Sequence, residues 1–195
     1  NYLYIRILNI FNILIYKHET NNNPVVCLTT IPSRINNIKS TLNSLLLQSK
    51  LPRRIYIGIP LKSNRETQKY IIPENIKNHP MISIINLNQD YGPICKLITG
   101  LTQNLNDIFI TVDDDTIYSS DFLEKLYNNF NKNTDKCIGY IGRNKNQIKK
   151  FGRVKEKIFT IEGYGGVLYH KFFFNLEEIF KFLEKSNKIV KFNDD

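Results

Sequence analysis

Short apolar runs alternate along this chain with segments whose apolar positions recur every three to four residues. Val25-Val26-Cys27-Leu28, Arg54 to Ile59 (RIYIGI), Met81 to Leu87 (MISIINL) and Ile108 to Val112 (IFITV) predict strands. Ile35 to Gln48 places Ile35, Ile38, Leu42, Leu45 and Leu46 at helical spacing. Gly92 to Asn104, with Pro93 at a tolerated first-turn position, predicts a second helix. Phe122 to Phe130 predicts a third, with Ser119, Ser120 or Asp121 as its cap. Further on, Cys137 to Ile141 and Lys157 to Ile161 predict short strands, Gly163 to Tyr169 is glycine-rich and then apolar, and Phe172 to Leu183 is helical. This alternation predicts βαβ units: an α/β fold with a mostly parallel sheet and helices on both faces. The strands read as unbroken apolar runs, the pattern of strands buried on two sides.

The first residues behave differently. Tyr2 to Tyr16 is strongly apolar but holds Arg6, Asn9 and Asn12, and it is shorter than the roughly 20 residues a membrane span needs. Leu3, Ile7, Ile10 and Leu14 form one helical stripe, and Tyr4, Leu8, Phe11 and Ile15 a second. The expectation is an N-terminal helical extension that meets a partner or membrane surface through residues 2–16, with the stub of a membrane anchor as the alternative. A polar linker, Lys17 to Pro24, follows, so the expected division is 1–23 as extension and linker and 24–195 as the domain, with truncation at its C-terminal end left open.

With 195 residues and 42% hydrophobic residues, the chain can bury one sizeable core, and global disorder is excluded. A formal net charge of +9 favours polyanionic partners without choosing among nucleic acid, nucleotides and membrane. The three cysteines are widely spaced and no Asn-x-Ser/Thr acceptor occurs, which excludes a zinc ribbon, argues against a disulfide framework and suggests a cytoplasmic setting.

In an open parallel sheet, ligands bind beyond the carboxyl ends of the strands. There this sequence places Thr29-Thr30-Ile31-Pro32-Ser33-Arg34, Pro60-Leu61-Lys62, Asn88 to Pro93 with Lys96 one turn further, and Asp113-Asp114-Asp115. Three adjacent carboxylates at the end of a buried strand repel one another unless a cation is near. In an extended segment Asp113 and Asp115 share one side, a pair of oxygen donors suited to Mg²⁺ or Mn²⁺, while Asp114 points the other way. Arg34 and Lys96, each just inside an expected helix, are placed to meet a phosphate.

Four of these pieces, VVCLTTIPSR, DYGPICKL, FITVDDDTIY followed by SSDFLEKL, and EGYGGVLYH, resemble in order the GT-A-fold (Rossmann-like) glycosyltransferases, broadly the family-2-like ones, over Pro24 to Lys171. The resemblance implies a metal-dependent transfer of a sugar from a nucleotide-diphospho-sugar, with a UDP-sugar as the working donor, to a hydroxyl on a glycan, protein or lipid. By that analogy Thr29, Thr30, Pro32 and Arg34 line the nucleotide pocket, and Asp90 and Lys96 help to hold the donor. Asp113 and Asp114 face the donor, and Asp113 and Asp115 carry the ion. Glu162, Gly165 and Gly166 form the floor where donor sugar and acceptor meet, and Asp194 or Asp195 supplies the base. Other readings compete. A haloacid-dehalogenase-type phosphatase shares the strand-then-Asp-x-Asp order but has Thr or Val where Ile117 stands, and normally opens its domain with that motif. A sugar-nucleotide-forming nucleotidyltransferase needs a glycine-rich loop where TTIPSR stands. A basic nucleic-acid-binding domain draws on the net charge and on Lys149-Lys150, Arg153, Lys155 and Lys157, but shows no binding motif, so no nucleic-acid partner is expected. His170, after the glycine-rich stretch, reads as a polar strand-end residue.

Overall fold

The computed structural model describes residues 23–103, 108–131, 135–144, 147–150 and 160–186, with backbone only at 144 and 147–150. The expected helix at 2–16 with most of its linker, most of the Lys157–Ile161 strand, and Asp194 and Asp195 lie outside the described residues.

Strand β1 (Val25–Thr29) is central and pairs in parallel with β2 (Arg54–Pro60) and with β4 (Ile108–Thr111), while β3 (Ile82–Leu87) adds in parallel outside β2. Beyond β4 the sheet turns antiparallel with β9 (Val167–His170), followed by β5 (Ile138–Gly139), giving the order β3-β2-β1-β4-β9-β5. A small antiparallel sheet holds β6 (Ile141–Asn144) between β7 (Gln147–Lys150) and β8 (Thr160–Ile161). The expected single strand Cys137–Ile141 is therefore two, because the chain changes sheets at Tyr140. The Tyr140 N–H bonds the Gly166 carbonyl at 2.9 Å, whereas the Ile141 carbonyl accepts from the Glu162 N–H at 3.0 Å.

Alternation along β1 sorts two layers. Val26 and Leu28 join the cluster built by Ile35, Ile38, Leu42 and Leu45 around helix α1 (Lys39–Leu46) and by Phe122, Leu123, Leu126 and Phe130 of α4 (Phe122–Phe130). Val25 and Cys27 face Leu101 of α3 (Cys95–Thr102), with Leu176 and Ile179 of α5 (Leu176–Ser186) packed against them. Helices thus cover both faces, as expected. Each fully buried Ile or Phe contributes about 1.5–3 kcal/mol, more than the about 0.5–1.5 kcal/mol net of one ladder hydrogen bond, so the strands are held chiefly by their side chains.

Helix α1 begins at Lys39 rather than Ile35: residues 32–38 form turns, with the Arg34 N–H on the Ile31 carbonyl at 3.0 Å. Arg34 therefore precedes the helix. A one-turn helix, α2 (Glu74–Lys77), precedes β3, with no counterpart in the apolar pattern. Helix α4 matches its expected bounds, but Asp121 does not cap it through its side chain. The buried Gln48 does, accepting the Leu123 N–H at 2.9 Å, while its amide donates to the Ser44 and Ser119 carbonyls at 2.8 and 2.7 Å. Among the described residues no helix is long and apolar enough to cross a membrane.

One pH response follows from the turn before β3. Burial depresses the pKa of half-buried His79 below its ordinary 6.5, and its Nδ1 accepts the Met81 N–H at 3.2 Å. A depressed folded-state value means that the unfolded chain takes up the proton more readily, so this stabilisation is complete above about pH 6.5 and is lost as pH falls further. Melting temperatures at about pH 7.5 and about pH 5.5 are expected to differ less in His79→Gln than in the unsubstituted protein; parallel losses would rule His79 out as the source.

Candidate functional site

The carboxyl ends of β1, β3 and β4 meet at one open cavity of about 210 Å³, lined by Thr29, Thr30, Ile31, Arg34, Arg65, Asp90, Gly92, Pro93, Lys96, Asp113 and Asp114. Antiparallel β9 brings its own start to the same edge, since Val167 pairs with Thr111. Four segments widely separated in sequence thus converge, as the strand-end rule requires.

The aspartate triplet follows the last buried residue of its strand, Val112. The chain bends at Asp114 and Asp115 instead of continuing extended, so the side-to-side alternation expected of a strand does not hold there. Asp113 pairs with Lys96 Nζ. Asp114, buried, accepts from the Thr30 hydroxyl at 2.5 Å and pairs with Arg34 Nη1 at 3.2 Å, and its main-chain oxygen accepts from Thr41 Oγ1 at 2.8 Å. The same Arg34 nitrogen reaches Asp115 Oδ2 at 3.1 Å, where the Asp115 side chain is 61% exposed. Both cations singled out from the sequence therefore stand directly on the triplet.

Asp90 lies on the far wall and is bound largely by backbone. Its carboxylate accepts the Asn64 N–H at 2.8 Å and the Gly92 N–H at 2.7 Å, and the Asn64 side-chain amide donates to its main-chain oxygen at 2.7 Å. Gly92 sits at φ 66°, where a side chain would be strained, so the Asp90-Tyr91-Gly92-Pro93 turn depends on that glycine. Burial pushes the Cys95 thiol up to about 12, leaving it a protonated neighbour of Asp90 at 3.8 Å. Opposite, the segment after β2 is strapped to the loop after β1. Glu66 accepts from the Ser33 N–H at 2.8 Å and the Ser33 hydroxyl at 2.5 Å, and the Tyr70 hydroxyl, its pKa raised to about 12 chiefly by burial, donates to the Thr30 carbonyl at 3.0 Å.

Of the residues expected at the site, Thr29, Thr30, Arg34, Asp90, Lys96, Asp113 and Asp114 line the cavity, and Asp115 is exposed beside Arg34. Pro32 is buried and outside the lining. Glu162 pairs with Arg143 Nε, and Gly165 and Gly166 lie against Ile141 and Phe122, all three outside the lining. Gly163 approaches the site: a Cβ there would stand 3.9 Å from Lys96 Nζ. Leu61 and Lys62 are exposed, and Arg65 takes the wall position instead. Arg65 carried no motif; the long polar stretch between Pro60 and Tyr70 was its one sign. Tyr118 was also missed. Its hydroxyl accepts the Asp113 N–H at 2.9 Å, and burial drives its pKa far above the ordinary value, so it stays protonated.

The sequence pattern of glycosyl transferase family 2 matches residues 26–190. No curated protein matches the chain. Among solved structures, 4-diphosphocytidyl-2C-methyl-D-erythritol synthase from Anaerococcus prevotii DSM 20548 is similar at a TM-score of 0.48 and 12% identity, covering 90% of this chain and 79% of that chain. The family match spans nearly the whole described domain and decides among the readings the sequence left open, against a phosphatase. With the strand-end geometry described above, that match settles the family: the chain belongs to glycosyl transferase family 2 and is a glycosyltransferase.

Proposed function

We propose that this enzyme transfers a sugar from a nucleotide-diphospho-sugar, with a UDP-sugar as the working donor, to a hydroxyl acceptor on a glycan, protein or lipid, with the donor diphosphate in the cavity at the sheet edge. The observation that carries this reading is the direct contact of Arg34 and Lys96 with the aspartate triplet inside one cavity. Thr29, Thr30 and Arg34 form the nucleotide side, and Pro32, buried outside the lining, belongs to the loop that carries them. Lys96 and Arg34 meet phosphate oxygens, and Asp90 holds the turn that leads into the helix bearing Lys96.

The charges favour a divalent ion. The lining cations Arg34, Arg65 and Lys96 are matched by Asp90, Asp113 and Asp114, and Asp115 adds a negative charge beside them. A diphosphate entering such a cavity meets no net positive charge, and one doubly charged ion supplies it. The donor set fits. Lys96 engages one oxygen of Asp113 and Arg34 one of Asp115, and among the described residues neither other oxygen has a protein partner. Among those residues no cluster of three His, Cys, Asp or Glu side chains stands ready, so water and phosphate would complete the coordination, as suits Mg²⁺ or Mn²⁺. When bound, the ion would stabilise negative charge on the departing diphosphate. Glu162, Gly165 and Gly166 belong to the acceptor side, and Asp194 or Asp195 to removal of the acceptor proton. The enzyme would work in the cytoplasm, with residues 2–16 as its contact to a membrane or partner and no nucleic acid bound.

A thermal-shift panel of nucleoside diphosphates and their sugars, with and without Mn²⁺, tests this. A ligand at about a hundred times its Kd stabilises by about 2.7 kcal/mol, which raises the melting temperature of a domain this size by about 5–10 °C. The expected result is such a rise for one base, larger with Mn²⁺; no rise with any member of the panel would overturn the donor reading.

A further inference from the structure

Tyr118 is outside the cavity lining, yet it is buried and bonded to the backbone of the first aspartate of the triplet. Its hydroxyl accepts the Asp113 N–H at 2.9 Å and donates to the main-chain oxygen of Tyr164 at 3.2 Å. Its own N–H donates to Ser44 Oγ at 3.1 Å, and its ring lies 4.4 Å from that of Phe122, so the phenol is fixed along its length. The turn it reaches, Gly163–Gly165, carries Gly163 toward Lys96 and the partly exposed ring of Tyr164. One oxygen atom therefore joins the backbone of the donor-side aspartate to a turn that is 46 residues away from Tyr118 in sequence.

Resting on the donor reading above, we propose that Tyr118 is a positioning residue for the transfer: its hydroxyl sets the Gly163–Gly165 turn, on the acceptor side, against Asp113 on the donor side. Reacting atoms must be held within about 3–3.5 Å, and small misplacements cost rate steeply. The donor itself is gripped through Arg34, Lys96 and the carboxylates, none of which the phenol touches by side chain. Loss of the hydroxyl therefore lowers turnover and leaves donor affinity in place.

The test is Tyr118→Phe, which removes only the oxygen. Nucleoside diphosphate release from UDP-glucose, UDP-N-acetylglucosamine and GDP-mannose with Mn²⁺ gives kcat and donor KM, and amide hydrogen exchange reports the turn. The expected result is a kcat about tenfold lower, donor KM within about twofold, and faster exchange confined to 163–166 and the Asp113 amide. Tyr140→Phe removes another hydroxyl from the same ring stack, since Tyr140 lies 5.0 Å from Phe122, and is expected to leave all three unchanged. Unaltered kcat and exchange in Tyr118→Phe would overturn the inference. So would faster exchange throughout the central sheet, the mark of a core residue and nothing more. If the unsubstituted enzyme releases nucleoside diphosphate from none of the three sugars, the donor reading falls separately, and exchange at 163–166 alone then upholds or overturns the tether.

Discussion

Asp115→Asn is expected to cut nucleotide-sugar turnover by about a hundredfold to a thousandfold while the melting temperature stays within about 2 °C. The substitution keeps the shape of the side chain and removes its charge. Asp115 is exposed, and its ion pair to a half-exposed Arg34 is of a kind worth about 0–1 kcal/mol, so the fold loses little. If the carboxylate holds the ion that offsets charge on the leaving diphosphate, its loss falls on the transition state, where a single misplaced charge-stabilising group costs about 3–4 kcal/mol. The neighbouring Asp114→Asn is expected to lower activity and stability together. Asp114 is buried, bonded to the Thr30 hydroxyl at 2.5 Å and to Arg34 at 3.2 Å, so removing its charge disturbs the loop after β1 and lowers the melting temperature as well. Nucleoside diphosphate release across a Mn²⁺ series, with a melting curve for each variant, checks both. Full turnover in Asp115→Asn would remove that residue from the ion site.

What the sequence disclosed follows from which forces leave a local trace. β1, β2 and β4 are legible because a strand buried on both faces must be apolar at successive positions, and α4 because Phe122, Leu123, Leu126 and Phe130 mark one face. The start of α5 was misplaced: the apolar Phe172-Phe173-Phe174 run extends the apparent helix backward, although Asn175 caps it by accepting the Glu177 and Glu178 N–H groups at 3.1 and 3.3 Å. An Asn followed three residues later by Glu was the sign to read. At the site, the convergence of Arg34, Lys96 and the triplet was legible because strand ends of a parallel sheet share an edge. The grip of Asn64 on Asp90 and of Tyr118 on Tyr164 was not, because a hydrogen bond between loops leaves no periodicity in either. The antiparallel entry of β9, which brings Gly163 to the cavity, is likewise a matter of sheet order that no single segment records.

Gly166→Ala is expected to destabilise the domain strongly, because backbone strain and a steric clash fall on one residue. Gly166 lies at φ 90°, ψ 138°, a conformation that costs an L side chain about 1–3 kcal/mol. The added Cβ would stand 2.4 Å from Cζ and 2.8 Å from Cε2 of Phe122, a fully buried ring without room to retreat, and overpacking of this kind costs about 1–3 kcal/mol more. Together these consume a large part of the about 5–15 kcal/mol that holds a typical domain folded, and at about 2–4 °C per kcal/mol the melting temperature falls by about 10 °C or more. The displaced ring is the one stacked on Tyr118 at 4.4 Å, so the Gly163–Gly165 turn is disturbed too. Gly163→Ala is the contrast: its φ is not positive and its Cβ meets only Lys96 Nζ at 3.9 Å, so the melting temperature is expected to stay level or rise slightly. Combining Gly166→Ala with Phe122→Leu divides the two costs. The smaller side chain relieves the clash but not the backbone strain, so the loss in the double variant is expected to fall short of the sum of the two single losses. Strict additivity, read from melting curves of all four proteins, would show that Phe122 is not what Gly166 makes room for.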